Sequence, residues 1–315
     1  MRNTFRAVAL VLLTASWFNP ALAAEPLLRI VVPSPAGGTL DVVARTIGSH
    51  LATSRKHPVV VENKPGADSA IASEYTIQAK PAGSTLLFSA SFLALGAAQG
   101  KFRFDPLRDL EPVIKLSRQD VILLVRAELP IRSLDDLIRY AHSGQPINCG
   151  GTTGQMYLAC QQLRTHLGQQ LVAVPFQGIP QVLSAIMGGH LDIGFTVTPP
   201  AIQPINAGRL RALAAVGQTP LQEPLSNLPK TQDTWPDIDF ESYYGIYVAA
   251  GAAPDQVRAL NAELNRILNE KEVIAFFEKN GITAIGGSPE PLVQTYMRDI
   301  ARFDRIKHLL SPEAR

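Results

Sequence analysis

The chain has 315 residues, 46% of them hydrophobic and 18% charged, with 29 Lys+Arg set against 27 Asp+Glu. At about 100–200 residues per domain that length suits two domains, and the near-balance of charge excludes a nucleic-acid binder that works through a bulk basic surface. Two cysteines exclude a disulfide scaffold and a four-thiolate zinc site, while no apolar run reaches the ~18 residues a membrane span needs.

Residues 1–23 read as a secretory signal. Arg2 and Arg6 make a basic start, Ala7 to Phe18 an apolar stretch broken by Thr14 and Ser16, and Ala21-Leu22-Ala23 a small-x-small cleavage site. Export and a cut after Ala23 are expected. No cysteine follows the cut to carry a lipid, so the mature protein is expected to be soluble and not membrane-embedded. Arg2 and Arg6 are the only charged side chains in the segment, so its removal leaves 27 basic and 27 acidic residues. Any anion must then be held by local features and not by a global field.

Leu28 to Pro33 (LRIVVP) reads as a buried strand ending in the turn Ala36-Gly37-Gly38. From Thr39, the spacing of Leu40, Val43, Ala44, Ile47 and Leu51 predicts a helix. Further strands are expected at Pro58 to Glu62, Thr85 to Ser89, Val121 to Val125, Ile147 to Cys149, Leu171 to Val174 and Leu191 to Phe195, separated by helix-length segments. That alternation predicts parallel α/β sheets. Gln218 to Asp239 reads as a long loop. Pro254 to Asn269 is an amphipathic helix with Val257, Leu260, Leu264, Ile267 and Leu268 on one face, and a last helix runs from Pro289 to about Lys307.

Catalytic and metal signatures are missing. The six histidines (50, 57, 142, 166, 190 and 308) are scattered, and HExxH, GxSxG and GxGxxG do not occur. Asp237-x-Asp239-x-Glu241 lacks the glycine and spaced glutamate of a calcium loop and reads as solvated. No catalysis, cofactor or metal is expected.

What recurs is a set of small-residue turns between strand ends and helix starts. They are Pro33-Ser34-Pro35-Ala36-Gly37-Gly38-Thr39, Gly150-Gly151-Thr152-Thr153-Gly154, Pro175-Phe176-Gln177-Gly178 and Thr196-Val197-Thr198-Pro199. Turn chemistry explains each one singly. Four at strand ends point to a ligand, because α/β sheets bind beyond those carboxyl ends and helix N-termini present free N–H groups to anions. None contains Lys or Arg, which favours a small organic acid held by neutral donors over a phosphate clamp.

RIVVPSPAGGTLDVVAR (Arg29 to Arg45) resembles the opening of the tripartite tricarboxylate transporter receptors, the Bug proteins. The likeness continues through PVVVENKPGA (Pro58 to Ala67), FDPLRDLEPV (Phe104 to Val113), VPFQGIPQVLSAIMGGHLDIGF (Val174 to Phe195), AGRLRALAA (Ala207 to Ala215) and LNAELNRIL (Leu260 to Leu268). It implies a periplasmic solute-binding protein of the type II-like α/β class, two domains flanking a ligand cleft. Domain 1 would hold residues 24–120 and 245–315, and domain 2 residues 121–244. It implies a monomer that captures a small carboxylate and passes it to a membrane permease. A sensor that signals to a membrane histidine kinase through the same cleft is the alternative.

Carried over by position, the resemblance puts Ala36, Gly37, Gly38, Thr39 and Asp41 at the ligand, with Asp41 either touching it or only supporting the helix start. Ser89, Thr152, Thr153, Gln177 and Thr196 complete the expected set. Three departures stand out. Asp68-Ser69-Ala70 replaces a usual Gly-Gly-Asn run. The loop from Asn148 to Ala159 is short, with Tyr157 near a histidine position. Thr196 stands where the family commonly has Asp, which leans against an amino-acid ligand. Cys149 and Cys160 flank the short loop, and either a bridge or two buried thiols would fit them.

Overall fold

β1 (Leu28–Val32) lies between two parallel neighbours, β2 (Val59–Asn63) and β3 (Thr85–Ala90), in a six-stranded sheet. The computed structural model describes residues 27–306 and Leu309, apart from 153, 218–220 and 222, so the signal segment and Thr153 lie outside the described residues. Helices α1 (Thr39–Arg55), α2 (Ala70–Gln78), α3 (Phe92–Ala98) and the short α4 (Pro106–Asp109) connect the first strands to β4 (Leu110–Gln119).

One residue later the chain enters a second sheet at β5 (Val121–Arg126). It continues through α5 (Leu134–His142), β6 (Ile147–Thr152), α6 (Gln155–Leu167), β7 (Leu171–Phe176), α7 (Ile179–Met187), β8 (Ile193–Val197), α8 (Thr198–Asn206), β9 (Leu210–Val216) and the one-turn α9 (Thr231–Thr234). β10 (Ser242–Ala249) returns to the first sheet, followed by α10 (Pro254–Leu268), α11 (Lys271–Asn280), β11 (Ile282–Ala284) and α12 (Glu290–Arg305). The strand orders are β11-β4-β10-β3-β1-β2 and β7-β6-β8-β5-β9.

Both sheets are covered on both faces, which explains why their strands are apolar runs without alternation. Ile30 and Val32 of β1 pack under α1 and α10, while Val31 packs on the other face with Leu93 and Phe303. In the second sheet Leu123 and Val125 join Leu163 of α6, and Ile122 and Leu124 join Ile186 of α7.

The expectation of parallel sheets needs correction. β10 runs antiparallel to β3 and β4, β11 to β4, and β5 to β8 and β9, so both sheets are mixed. The strands that carry the chain between sheets enter against the βαβ direction. Periodicity carries no direction, so a covered antiparallel strand reads like a parallel one. β8 lies two residues beyond the expected Leu191 to Phe195, and the long loop before β10 contains α9.

Cys149 on β6 and Cys160 on α6 are joined in a disulfide, and both are fully buried. Asp237 is engaged by Gln162 and His166, and Glu241 by Lys115 and Arg298. Both acids are held by neighbouring side chains.

Candidate ligand-binding site

The expected turns follow from strand direction. β1, β2 and β3 are parallel, so the loops after Val32, Asn63 and Ala90 leave the same edge of the first sheet. β6 is parallel to β7 and β8, so the loops after Thr152, Phe176 and Val197 share one edge of the second. The two edges meet. A Cβ on Gly154, ahead of α6, would lie 3.1 Å from the Phe92 ring at the start of α3. Leu158 of α6 packs in the cluster that holds Leu93, Ala94 and Leu95.

Six helices begin at these edges without a side-chain cap: α1 behind Gly38, α2 behind Ser69, α3 behind Ser91, α6 behind Gly154, α7 behind Gly178 and α8 behind Val197. By contrast the Ser133 hydroxyl accepts from the Asp136 N–H at 3.1 Å at the start of α5. Helices α10 to α12 also lack side-chain caps, so what sets these six apart is the pair of strand edges they share. Each exposed N-terminus carries about half a positive charge.

The first turn is the best defined. Residues Pro35 to Thr39 are exposed, and Gly37 takes φ 82°, which a side chain would strain. Below them Asp41 is 2% exposed with both oxygens engaged. Oδ2 accepts from the Gly37 N–H at 2.9 Å and from Arg45 Nε at 3.0 Å, and Oδ1 accepts from Asn63 Nδ2 at 2.8 Å. Burial raises the Asp41 carboxyl, but the bonds from Arg45, Gly37 and Asn63 outweigh it and hold the group below its ordinary 3.8. Asn63 also donates to the Ser34 carbonyl, so the turn is fixed from the end of β2. Sequence reasoning missed Asn63 and Arg45 in this role. The register of Val32 opposite Asn63 brings the amide there, and register is not visible in one chain read linearly, whereas Arg45 follows Asp41 by one helical turn, a spacing the sequence shows.

The remaining expected residues are placed less uniformly. Ser89 is buried on β3, and its hydroxyl bonds the Ala90 carbonyl at 3.3 Å. Thr152 is half-buried and its hydroxyl donates to Met156 Sδ at 3.3 Å. Gln177 is exposed, and its N–H donates to Gln181 Oε1 at 3.1 Å. Thr196 is fully buried within β8 and its hydroxyl bonds the Val197 carbonyl at 3.3 Å. Beyond it Pro199 packs directly on Gly281, and the Thr198 N–H donates to the Asp120 carbonyl at 3.0 Å. The β8 loop therefore closes against α11 and the strand crossing, whereas the β3 and β6 loops face one another.

Among the described residues no group of three or more His, Cys, Asp or Glu is arranged to hold a metal ion, and no helix is long and apolar enough to cross a membrane.

A family model described as tripartite tricarboxylate transporter family receptor matches residues 43–310. Protein BugT of Bordetella pertussis is 27% identical over 302 residues, covering 92% of each chain. A TctC solute binding protein from Polaromonas, solved without ligand, has a similar fold, with a TM-score of 0.76 at 22% identity over 91% of this chain and 99% of that one. MatC from Rhodopseudomonas palustris, solved with bound malate, gives a TM-score of 0.73 at 24% identity over 89% of this chain and 98% of that one.

Proposed function

The chain belongs to the tripartite tricarboxylate transporter receptor family, and from that premise we propose that it captures a small organic carboxylate between its two lobes and delivers it to a membrane permease of such a transporter. It acts in the periplasm as a monomer after removal of residues 1–23, and it performs no reaction on its ligand. The division between lobes is drawn at Asp120 and ahead of Ser242, where the chain passes from one sheet to the other.

The observation that carries this reading is the meeting of two strand edges from which uncapped helix N-termini emerge, with the turn Ala36-Gly37-Gly38-Thr39 exposed on one of them. Backbone N–H groups at such positions suit a carboxylate. Asp41 has no free oxygen for a ligand, so its role is to position the turn. Ser89, Thr152 and Gln177 bring further neutral polar groups to the other strand ends. The malate held by MatC supports a carboxylate as the ligand class. Thr196 brings no negative charge to meet an ammonium group, which favours a mono- or dicarboxylate that is not an amino acid.

Isothermal titration of the mature protein with succinate, malate and citrate, against aspartate and glutamate, tests the proposal. A carboxylate lacking an amine binds and the amino acids do not. Selective binding of aspartate or glutamate would overturn the ligand class.

A further inference from the structure

Gln155 is the first residue of α6, one of the helices that begin at the meeting strand edges, and it is 6% exposed. Its side-chain bonds lead to the lobe boundary. Nε2 donates to Asp299 Oδ2 on α12 of the first lobe at 3.3 Å and, at a longer 3.5 Å, to the carbonyl of Glu241, one residue ahead of β10. Oε1 has no partner. A buried amide left half unsatisfied costs stability, and an apolar side chain of the same size would avoid that cost. What the amide gives in return is a fixed position.

That position is where the two lobes touch. Gly154, with φ 96°, sets the start of α6 against Phe92 of the first lobe, and the Cys149–Cys160 bridge fastens the same helix to its own sheet further along. The Ser242 hydroxyl donates to Gln119 Oε1 at 2.7 Å and ties the two crossing strands together beside Glu241. The first turn of α6 is therefore anchored from the opposite lobe, whereas the turn at Ala36 to Thr39 is anchored from within its own by Asn63. Asp299 is a strong acceptor when ionised. Burial pushes its carboxyl up to about 7, with the charges of Arg302, Arg298 and Lys115 pulling it down and that of Glu241 pushing it up, so at pH 8 it carries its charge.

We propose that Gln155 is a positioning residue of the carboxylate site: bonded to Asp299 across the lobe boundary, it holds the N-terminus of α6 in register with the turn at Ala36 to Thr39 and so sets ligand affinity. This inference rests on the carboxylate reading given above. The bond touches no ligand itself. It fixes the distance between two sets of N–H groups that must reach one small molecule together, so its loss is felt as affinity.

The test at pH 8 pairs titration calorimetry, with malate, succinate and citrate, with electron–electron distance measurements between spin labels on Gln78→Cys and Asp135→Cys, exposed positions on α2 and α5 of opposite lobes. Gln155→Leu weakens carboxylate binding about tenfold, the worth of one charge-assisted bond, and broadens the inter-lobe distances of ligand-free protein. Its ligand-free melting midpoint stays at or above the wild-type value, because a half-satisfied amide has gone. Asp299→Asn keeps an acceptor for Nε2 and retains both affinity and the narrow distances. A merely structural Gln155 would give a lower midpoint with affinity and distances unchanged, and that result overturns the proposal, as does loss of affinity in Asp299→Asn equal to that in Gln155→Leu. If the wild type binds none of the three acids, the carboxylate reading fails, and the distances alone decide: identical distributions in wild type and Gln155→Leu overturn the positioning role. Gln155→Met is read in the same way if Gln155→Leu does not fold.

Discussion

Asn63 Nδ2 lies 2.8 Å from Asp41 Oδ1, tying the end of β2 to the first turn of α1. Both residues hold the exposed turn from beneath, Asp41 at the Gly37 N–H and Asn63 at the Ser34 carbonyl, and together they determine where its N–H groups point. Asn63→Ala and Asp41→Asn should each weaken carboxylate binding about tenfold while leaving the fold intact, since each removes about one charge-assisted bond. Titration calorimetry beside circular dichroism measures both effects. Unchanged affinity in both variants would mean that the turn needs no such support.

The same carboxyl gives a sign for acid behaviour. Asp41 titrates below its ordinary 3.8 in the folded state, so its contribution to stability is present above that value. It is lost as pH falls through the lower folded value. Acid unfolding of Asp41→Asn should therefore be less steep below about pH 4 than that of the wild type, as read by melting midpoints.

Asp299 behaves in the opposite sense. It is 4% exposed, and burial pushes it up to about 7, against partial relief from the Arg302 charge. Folded protein then binds a proton that unfolded chain releases between about pH 4 and pH 7, so this group favours folding at low pH and loses that effect as pH rises through 7. Asp299→Asn should raise the midpoint at pH 8 by a few degrees, with a gap to the wild type that closes towards pH 4. A gap constant with pH would contradict the raised value.

The bridge between Cys149 and Cys160 predicts no free thiol in denatured, unreduced protein. It fastens β6 to α6 around the loop that holds Thr152 and Gly154. Replacing both cysteines by alanine should cost about 2–4 kcal/mol of stability, measured by urea unfolding. Two free thiols in the wild type would refute the bridge.

Ala67, Asp68 and Ser69 take φ values of 48°, 47° and 83° in succession, a left-handed run that non-glycine residues rarely adopt. Asp68 and Ser69 stand where the resemblance leads one to expect glycines, and the backbone there takes the positive φ that glycine favours. Ala67 is exposed, so Ala67→Gly should stabilise by about 0.5–1 kcal/mol, the relief of strain exceeding the added chain entropy. Ala72→Gly, in the buried interior of α2, should destabilise and serves as the control.

Much of this was legible in the sequence. β1, β3, β5 and α10 lie within one residue of their expected bounds because each is a dense apolar run or a clear helical stripe. Less legible were β4, β9 and β10, whose runs are interrupted by Lys115, Arg211 or Gly245. The turn at Ala36 to Thr39 was visible from its glycines. Its support from Asn63 was not, because that contact depends on strand register. Arg302 was invisible for a related reason: on a charged helix, nothing local marks which arginine the fold will bury.

Asp120 alone separates β4 from β5. A single residue spans at most about 3.6 Å, so on that side the two lobes are held on a very short tether. Such a tether keeps the β4 and β5 ends, and with them the two sheets, within a residue's length of each other. On the proposed function, the spacing between the two sets of N–H groups is thereby fixed at this crossing before any ligand arrives.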